Sequence, residues 1–396
     1  MSATGVGAST ERLRRWSPAI TRTGILSCLM LAFSLQTRQQ WRTIQEGTQG
    51  YLIGDWTISY AGGVVRRGFS GWLLLSVAPE ASSALAVLWA TQTLLYLVIF
   101  GIVAWWAIRL PAPLAWAPFL LSPAFLLFGL NDFGGTHRKE IIVLAGMFVL
   151  AEAVRSGRAV GASTAVAFLL FAIGVISHEA NVFLLVPLIV LVRWAAADGL
   201  VTERFGRRAS IGFATAAALG LVLAVVAPGT AEQQQTICAD LLRRGFDENL
   251  CRGSLAYIGE PASGQAMRVL LDALPGYALY VLPALFALIP FLWSPWARAH
   301  RRLLIASVAP IVPLFLIAID WGRWIMWAAV VATVLTVVGS SRASRPPRRM
   351  PVPVLVLFIV GWSLPHSSID PSSAGLGELP ASILWVLRTL GRAVVG

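Results

Sequence analysis

The chain is 396 residues long, 57% hydrophobic and only 13% charged, with a mean hydropathy of +0.73. A soluble core of this length cannot hide so much apolar surface, which excludes a water-soluble globular protein and predicts an all-α polytopic transmembrane helical bundle. The net charge of +12 is nearly all arginine; in such a protein it sets orientation and meets anionic lipid, so membrane lipids are expected partners and nucleic acid is not.

Taken in chain order, Arg12, Arg14 and Arg15 precede an apolar run over 24–35. No small-x-small cleavage pattern follows before Gln36, Thr37 and Arg38, so the run reads as an uncleaved first helix behind a cytoplasmic tail over 1–22. Further apolar segments occupy 83–108, 113–130, 141–154, 160–176, 182–192, 211–227, 269–293, 303–319, 324–338 and 351–364. Several are shorter than the roughly 20 residues that cross a bilayer, so they borrow from adjoining polar clusters and set those clusters at the membrane boundary. With the first helix this predicts eleven spans in one integral membrane domain over 1–396, including short re-entrant or interfacial helices. The segment 381–395 is expected as a last short helix lying on or dipping into the membrane.

The loops between these spans alternate in arginine content. Arg109, then Arg155 and Arg158, then Arg193, Arg204, Arg207 and Arg208 fall on the side of the N-terminus, as do Arg298, Arg301, Arg302, Arg342, Arg345, Arg348 and Arg349. The positive-inside rule makes that side cytoplasmic. The other loops, 51–70, 131–140, 177–181, 228–268 and 320–323, then face outward, and they hold the unusual polar clusters. The tail beyond 364, with His366 and Asp370, begins on the same outer side.

In the first outer loop Asp55 is followed by Arg66 and Arg67 beside glycines. A carboxylate with paired guanidinium groups supplies a general base and a phosphate clamp; the plainer reading is a structured loop with arginines at the headgroups. Arg66-Arg67-Gly68-Phe69 recurs as Arg243-Arg244-Gly245-Phe246 without any longer period. The second cluster gathers Asn131, Asp132, His137, Arg138, Lys139 and Glu140 around Gly134-Gly135, and Lys139 is the only lysine in the chain. Such a mixture suits binding and orienting an anion, or equally a solvated turn at a helix end.

His178 and Glu179 lie in the third loop, where they read as an acid/base pair or as a helix cap; neighbours about 100° apart on a helix make no metal face, and no second His follows at zinc-site spacing. Cys238 and Cys251 share the longest outer loop and are expected to form a structural disulfide, while Cys28 sits in the first apolar segment. Asp320 and Arg323 alternate with Trp321 and Trp324 in the last outer turn, as a local ion pair within an interfacial tryptophan belt or as a ligand contact. Within the spans only Glu152 and Asp272 offer comparable charge. No Walker loop, dinucleotide fingerprint or nucleophile elbow is present, no cofactor is implied, and metal independence is expected.

Asp55 after the first helix, Arg138-Lys139 at an outer helix start, His178 on the next outer hairpin, and Asp320 with Arg323 late in the chain carry a resemblance. The chain resembles the GT-C-like membrane glycosyltransferases and the exopolysaccharide and O-antigen polymerases of bacterial surface polysaccharides. That resemblance implies a multi-pass protein of the bacterial inner membrane with its N-terminus in the cytoplasm, using a glycan donor linked to polyprenyl phosphate or diphosphate. It further implies transfer to an acceptor hydroxyl at the outer face, and other polysaccharide assembly proteins as possible partners. Asp55 would be the base, with His178 and Glu179 the alternative pair; Arg66, Arg67, Arg138, Lys139 and Arg323 would hold phosphate, with Asn131, Asp132, His137 and Asp320 in the substrate site. The rival classes are a transporter or flippase of an anionic lipid-linked glycan, whose charged sites would lie nearer the membrane midplane, and a noncatalytic assembly subunit.

Overall fold

The computed structural model describes residues 5–46, 50–131, 133–258, 287–318 and 320–361, and among these residues every regular element is helical. In chain order the first helices are α1 (Gly5–Glu46), α2 (Leu52–Thr57), α3 (Gly68–Val77), α4 (Ala81–Arg109), α5 (Pro113–Leu120) and α6 (Phe128–Asn131). They are followed by α7 (Glu140–Ser156), α8 (Val160–Ser177), α9 (Leu185–Ala197), α10 (Glu203–Val226), α11 (Ala231–Arg243) and α12 (Asn249–Arg252). Short helices at Pro295–Ala299 and Arg301–Val308 lead to a long one at Trp321–Arg342, and Val352–Gly361 ends the described chain. Among the described residues, six helical stretches are long and apolar enough to cross a membrane: Pro18–Glu46, Ala81–Arg109, Val160–Ser177, Glu179–Ala197, Glu203–Val226 and Trp321–Arg342.

Helix α7 is the axle of the bundle. From Ile141 to Ala151 it is apolar around its whole circumference, and nearly all of these side chains are buried. A helix without a polar face belongs inside, and α7 packs against α4, α8, α9 and Trp321–Arg342. Trp321–Arg342 is likewise almost wholly enclosed, whereas α1 and α10 bury little of their apolar windows. Their outward side chains, Met30, Leu31, Leu219, Val222 and Val225 among them, form the surface a membrane protein offers to lipid.

Several segments differ from the sequence expectation. The tail foreseen over 1–22 is helical from Gly5, and α1 continues past Leu35 to Glu46, where Gln36, Gln40 and Thr43 are buried against the bundle and the Gln36 and Gln40 amides donate to Leu126 and Gln92. The span expected over 113–130 is broken into α5 and α6, since Pro123 has no N–H to carry a helix onward and the chain turns through successive i to i+3 bonds. Pro310 and Pro313 break the one expected over 303–319 in the same way, leaving Arg301–Val308 and Leu314–Ile317. Helix α3, ten residues long, was not foreseen; it is apolar but too short to read as a span. Most of 269–293, with Asp272, and the C-terminal 362–396, with His366, Asp370 and the expected helix 381–395, lie outside the described residues.

The polar loops sort to two ends. At one end the loops 51–70, 131–140, 177–181, 228–258 and 320–323 meet: Arg66 N–H donates to the Ala227 carbonyl at 2.7 Å, Gln233 Nε2 to the Val64 carbonyl at 3.3 Å, and Ser254 Oγ to the Tyr51 carbonyl at 2.9 Å. At the other end Arg342 pairs with Asp198 and lies 4.9 Å from the Trp194 ring, which meets Trp296 edge-on. Arg348 N–H donates to the Trp293 carbonyl there. The arginine-rich loops and the mixed-charge loops are therefore segregated, as the alternation of loop composition requires.

Cys238 of α11 and Cys251 of α12 form a disulfide, which ties this loop beside the close approach of Gly50 to 249–253, where a Cβ on Gly253 would strike the Gly50 backbone and one on Gly50 the Asn249 carbonyl. Closing a loop of this size restrains the unfolded chain by about 3 kcal/mol. A Cys238→Ser/Cys251→Ser variant is expected to unfold at lower temperature in detergent, and wild type treated with reductant should show the same loss.

Candidate functional site

The centre of the polar end is Lys139, the residue before α7. Its side chain is completely buried, and an ammonium has three protons to place. Nζ donates to the Arg67 carbonyl and to the Ser177 carbonyl, both at 3.0 Å, and stands 3.7 Å from Asp55 Oδ1, an ion-pair separation. Three segments far apart in sequence are thus held by one side chain. Asp55 reaches this point on the fully buried helix α2, whose Trp56 Nε1 donates to the His137 carbonyl at 2.8 Å. Arg67 presents its carbonyl because it adopts a left-handed conformation, φ 67°, at the start of α3. That turn is packed tightly: a Cβ on Gly71 would run into the Ile58 carbonyl. His137, φ 59°, is a second non-glycine residue in this strained region.

Further ion pairs surround Lys139. Glu179 accepts from Arg67 Nε at 3.0 Å on both oxygens and from Nη2 at 2.5 Å, while Arg66 Nη1 lies 3.7 Å away. Arg323 contacts Asp320 at 3.0 Å and Glu140 at 3.6 Å and covers the Trp324 ring at 4.2 Å from its centroid. Trp327 Nε1 donates to Glu140 at 3.4 Å, and Arg138 donates to the Tyr51 carbonyl at 3.2 Å. Among the described residues, five cations (Arg66, Arg67, Arg138, Lys139, Arg323) face four carboxylates (Asp55, Glu140, Glu179, Asp320).

Acid and base are both lowered here, for different reasons. Burial alone would raise the Asp55 carboxyl, but Lys139 and the arginines beyond it hold it down at about 2. Burial lowers Lys139 to about 8; Asp55 restores part of the loss and Arg67 opposes it. The Asp55 shift therefore reports the nearby cations, and the Lys139 shift reports its burial. His178 is lowered to about 3 by burial and by Arg67, so its ring is neutral at pH 7. Its Nδ1 accepts the Ala180 N–H at 3.2 Å, which leaves the proton on Nε2 and makes that edge a donor.

The sequence-derived candidates separate into groups. Asp55, Arg66, Arg67, Arg138, Lys139, His178, Glu179, Asp320 and Arg323 are brought together. His137 turns away: its ring lies between Tyr96 and Phe133, with Nδ1 on the Thr136 hydroxyl at 2.9 Å, and burial lowers it to about 3. Asn131 closes α6, and Asp132 lies outside the described residues. Glu152 is at the opposite end of α7, with Arg155, Trp105 and Trp106.

Sequence reasoning missed a row of buried amides. Gln36 donates to the Leu126 carbonyl, Gln40 to Gln92, and Gln92 to the His137 carbonyl, which carries polarity from the site into the bundle. The signal was a glutamine in the middle of the apolar segment 83–108. It also missed Ser70 and Ser177, whose buried hydroxyls have no hydrogen-bond partner among the described residues; Asp55 Oδ2, Arg138 Nε, Arg323 Nε and Trp324 Nε1 share that condition. Buried polar atoms are normally paired, which makes these six candidates for contact with a polar ligand. Among the described residues no three His, Cys, Asp or Glu side chains are grouped to hold a metal ion.

Set against known proteins, the chain matches no family model, no curated protein and no solved structure.

Removing one partner of a buried pair strands the other, so Asp55→Asn and Lys139→Met are each expected to destabilise by about 3–5 kcal/mol, and the double variant to recover much of that loss. Thermal unfolding of the three proteins measures the coupling. The pH signs differ. Asp55 contributes stability that is complete above its ordinary 3.8 and is lost as pH falls toward 2. Lys139 carries its charge at a cost in the folded state, so wild type should gain stability relative to Lys139→Met as pH rises from 8 toward 10.5.

Proposed function

We propose that this protein is a membrane glycosyltransferase or polysaccharide polymerase that takes sugar or glycan from a polyprenyl-phosphate or polyprenyl-diphosphate donor. The acceptor is a hydroxyl, and the reaction occurs at the membrane face bearing the mixed-charge loops, extracytoplasmic if the arginine-rich end is the cytoplasmic one in a bacterial inner membrane. The observation that carries this reading is the cation-rich cluster drawn from several loops at one end of an apolar bundle, with buried polar atoms unpartnered inside it. A positive, poorly hydrated site stabilises charge that develops on a leaving phosphate more strongly than water can.

In the proposed step the acceptor oxygen forms a bond to the anomeric carbon while the bond from that carbon to the phosphate oxygen breaks, its electron pair remaining on the phosphate. The hydroxyl proton passes to a carboxylate. Asp55 suits that role because its Oδ2 has no hydrogen-bond partner among the described residues, whereas both Glu179 oxygens accept from Arg67. Its low proton affinity is a property of the resting cluster; an anionic donor offsets the surplus cations and raises it. Arg138, Arg66 and Arg67 would meet the phosphate, and His178, a donor through Nε2, would support the leaving oxygen. Lys139 fits a positioning role, since its ammonium is committed within the protein to two carbonyls and to the Asp55 carboxylate.

The second reading is transport of an anionic lipid-linked glycan. The amide row Gln36, Gln40 and Gln92 favours it, because polar side chains within membrane helices commonly mark a path.

The lipid-linked glycan profile of a deletion strain separates these readings. Accumulated single repeat units indicate a polymerase, a glycan lacking one sugar a transferase, and complete glycan retained at the inner face a flippase. For the enzyme reading, Asp55→Asn and Arg138→Ala proteins expressed at wild-type level should each lose chain growth by about 100-fold or more. Full chain growth in both would exclude these assignments.

A further inference from the structure

At the arginine-rich end, remote from the site above, lies a cavity of about 410 Å³, within the ~300–1,000 Å³ range of small-molecule pockets. Its walls come from the ends of α4, α7 and Trp321–Arg342 and from the start of α5. Arg109, Arg155 and Arg345 supply three guanidinium groups, and Ser340, Ser341 and Ser344 three hydroxyls; Trp116 lines the buried side. One carboxylate, Glu152, is committed nearby: it accepts from Arg155 at 2.6 and 2.9 Å and from the Trp105 and Trp106 ring N–H groups. Arg109 lies over the Trp105 ring, 4.2 Å from its centroid.

Two features distinguish this cavity from an ordinary positive helix end. Arg109 and Arg155 occupy last turns, where a cation complements the helix dipole. That accounts for two arginines but not for donors left over: Ser340 and Trp116 are each only 1% exposed, yet Ser340 Oγ, Ser341 Oγ and Trp116 Nε1 have no hydrogen-bond partner among the described residues. The third guanidinium, on Arg345, is placed beyond the helix end by a turn in which Ser344 takes φ 51°, a left-handed conformation usually left to glycine. Arg345 N–H donates to the Ser340 carbonyl at 3.0 Å, closing this turn around the cavity.

We propose that this cavity binds a phosphate group, through arginine forks at its rim and serine and indole donors at its buried side. The donor set exceeds its acceptors, as a tetrahedral oxyanion requires, and basic pockets between membrane helices are suited to phospholipid headgroups. The same chemistry accommodates free phosphate, and the experiment discriminates between the two.

Purified full-length protein is reconstituted in phosphatidylcholine nanodiscs, and its melting temperature is measured with phosphatidylglycerol included in the disc, with inorganic phosphate added, and with neither. A rise of about 4 °C or more with phosphatidylglycerol alone supports a lipid headgroup, and a rise with inorganic phosphate supports the free anion. No rise with either overturns the proposal. Arg345→Gln and Ser340→Ala should each abolish the shift, while Arg349→Gln, an exposed arginine at the same end but outside the cavity, should retain it. Equal loss in Arg349→Gln would also overturn the proposal, since it would assign the effect to diffuse surface charge.

Discussion

The polar end of this bundle depends on the burial of one ammonium group. A lysine shut away from water must give each of its protons an acceptor, because an unpaired charge in that setting costs several kcal/mol. Lys139 meets that demand with two main-chain carbonyls and one carboxylate, contributed by the turn before α3, the last residue of α8 and helix α2. Main-chain acceptors fix backbone, not merely side chains. Hence the left-handed turn at Arg67, the close approach at Gly71 and the entry into the Glu179–Leu184 turn are all constrained by the same nitrogen.

Position makes this arrangement electrostatically costly in a particular direction. Lys139 precedes the first turn of α7, where the helix dipole already presents positive charge; Glu140 in that turn is placed favourably, and Lys139 is not. Arg67, Arg138 and Arg323 add to the same potential. A protein selected for stability alone would place an acceptor here. The surplus is understandable if the site completes its charge balance with an anion, and the unpartnered Asp55 Oδ2 and Arg138 Nε lie in the same region.

Much of this architecture was legible in the sequence. Apolar length and the alternation of arginine between loops gave the class and sorted the polar clusters correctly into two ends, because both signals come from the free energy of placing charge in hydrocarbon and need no tertiary detail. Pairing within the cluster was not legible. Asp55 with Lys139, Arg67 with Glu179 and Arg323 with Glu140 join residues from distant loops, and nothing local to any of them names its partner. His137 illustrates the limit: its neighbours in sequence are the charged residues, but its backbone turns through φ 59° and sends the ring into an aromatic pocket instead. Breaks in 113–130 and 303–319 depended on prolines whose effect becomes visible only once the surrounding helices fix the chain's course.

The two ends share two enclosed helices. Helix α7 begins at Glu140 beside Arg323 and ends near Arg155 at the basic cavity, a rise of about 25 Å over its length. Trp321–Arg342 runs between the same two places, from Arg323 to Ser340 and Ser341. Both helices are packed on almost every side, so neither can bend locally to absorb a shift. Sliding one along the other would alter the Glu140–Arg323 contact and the mouth of the cavity together.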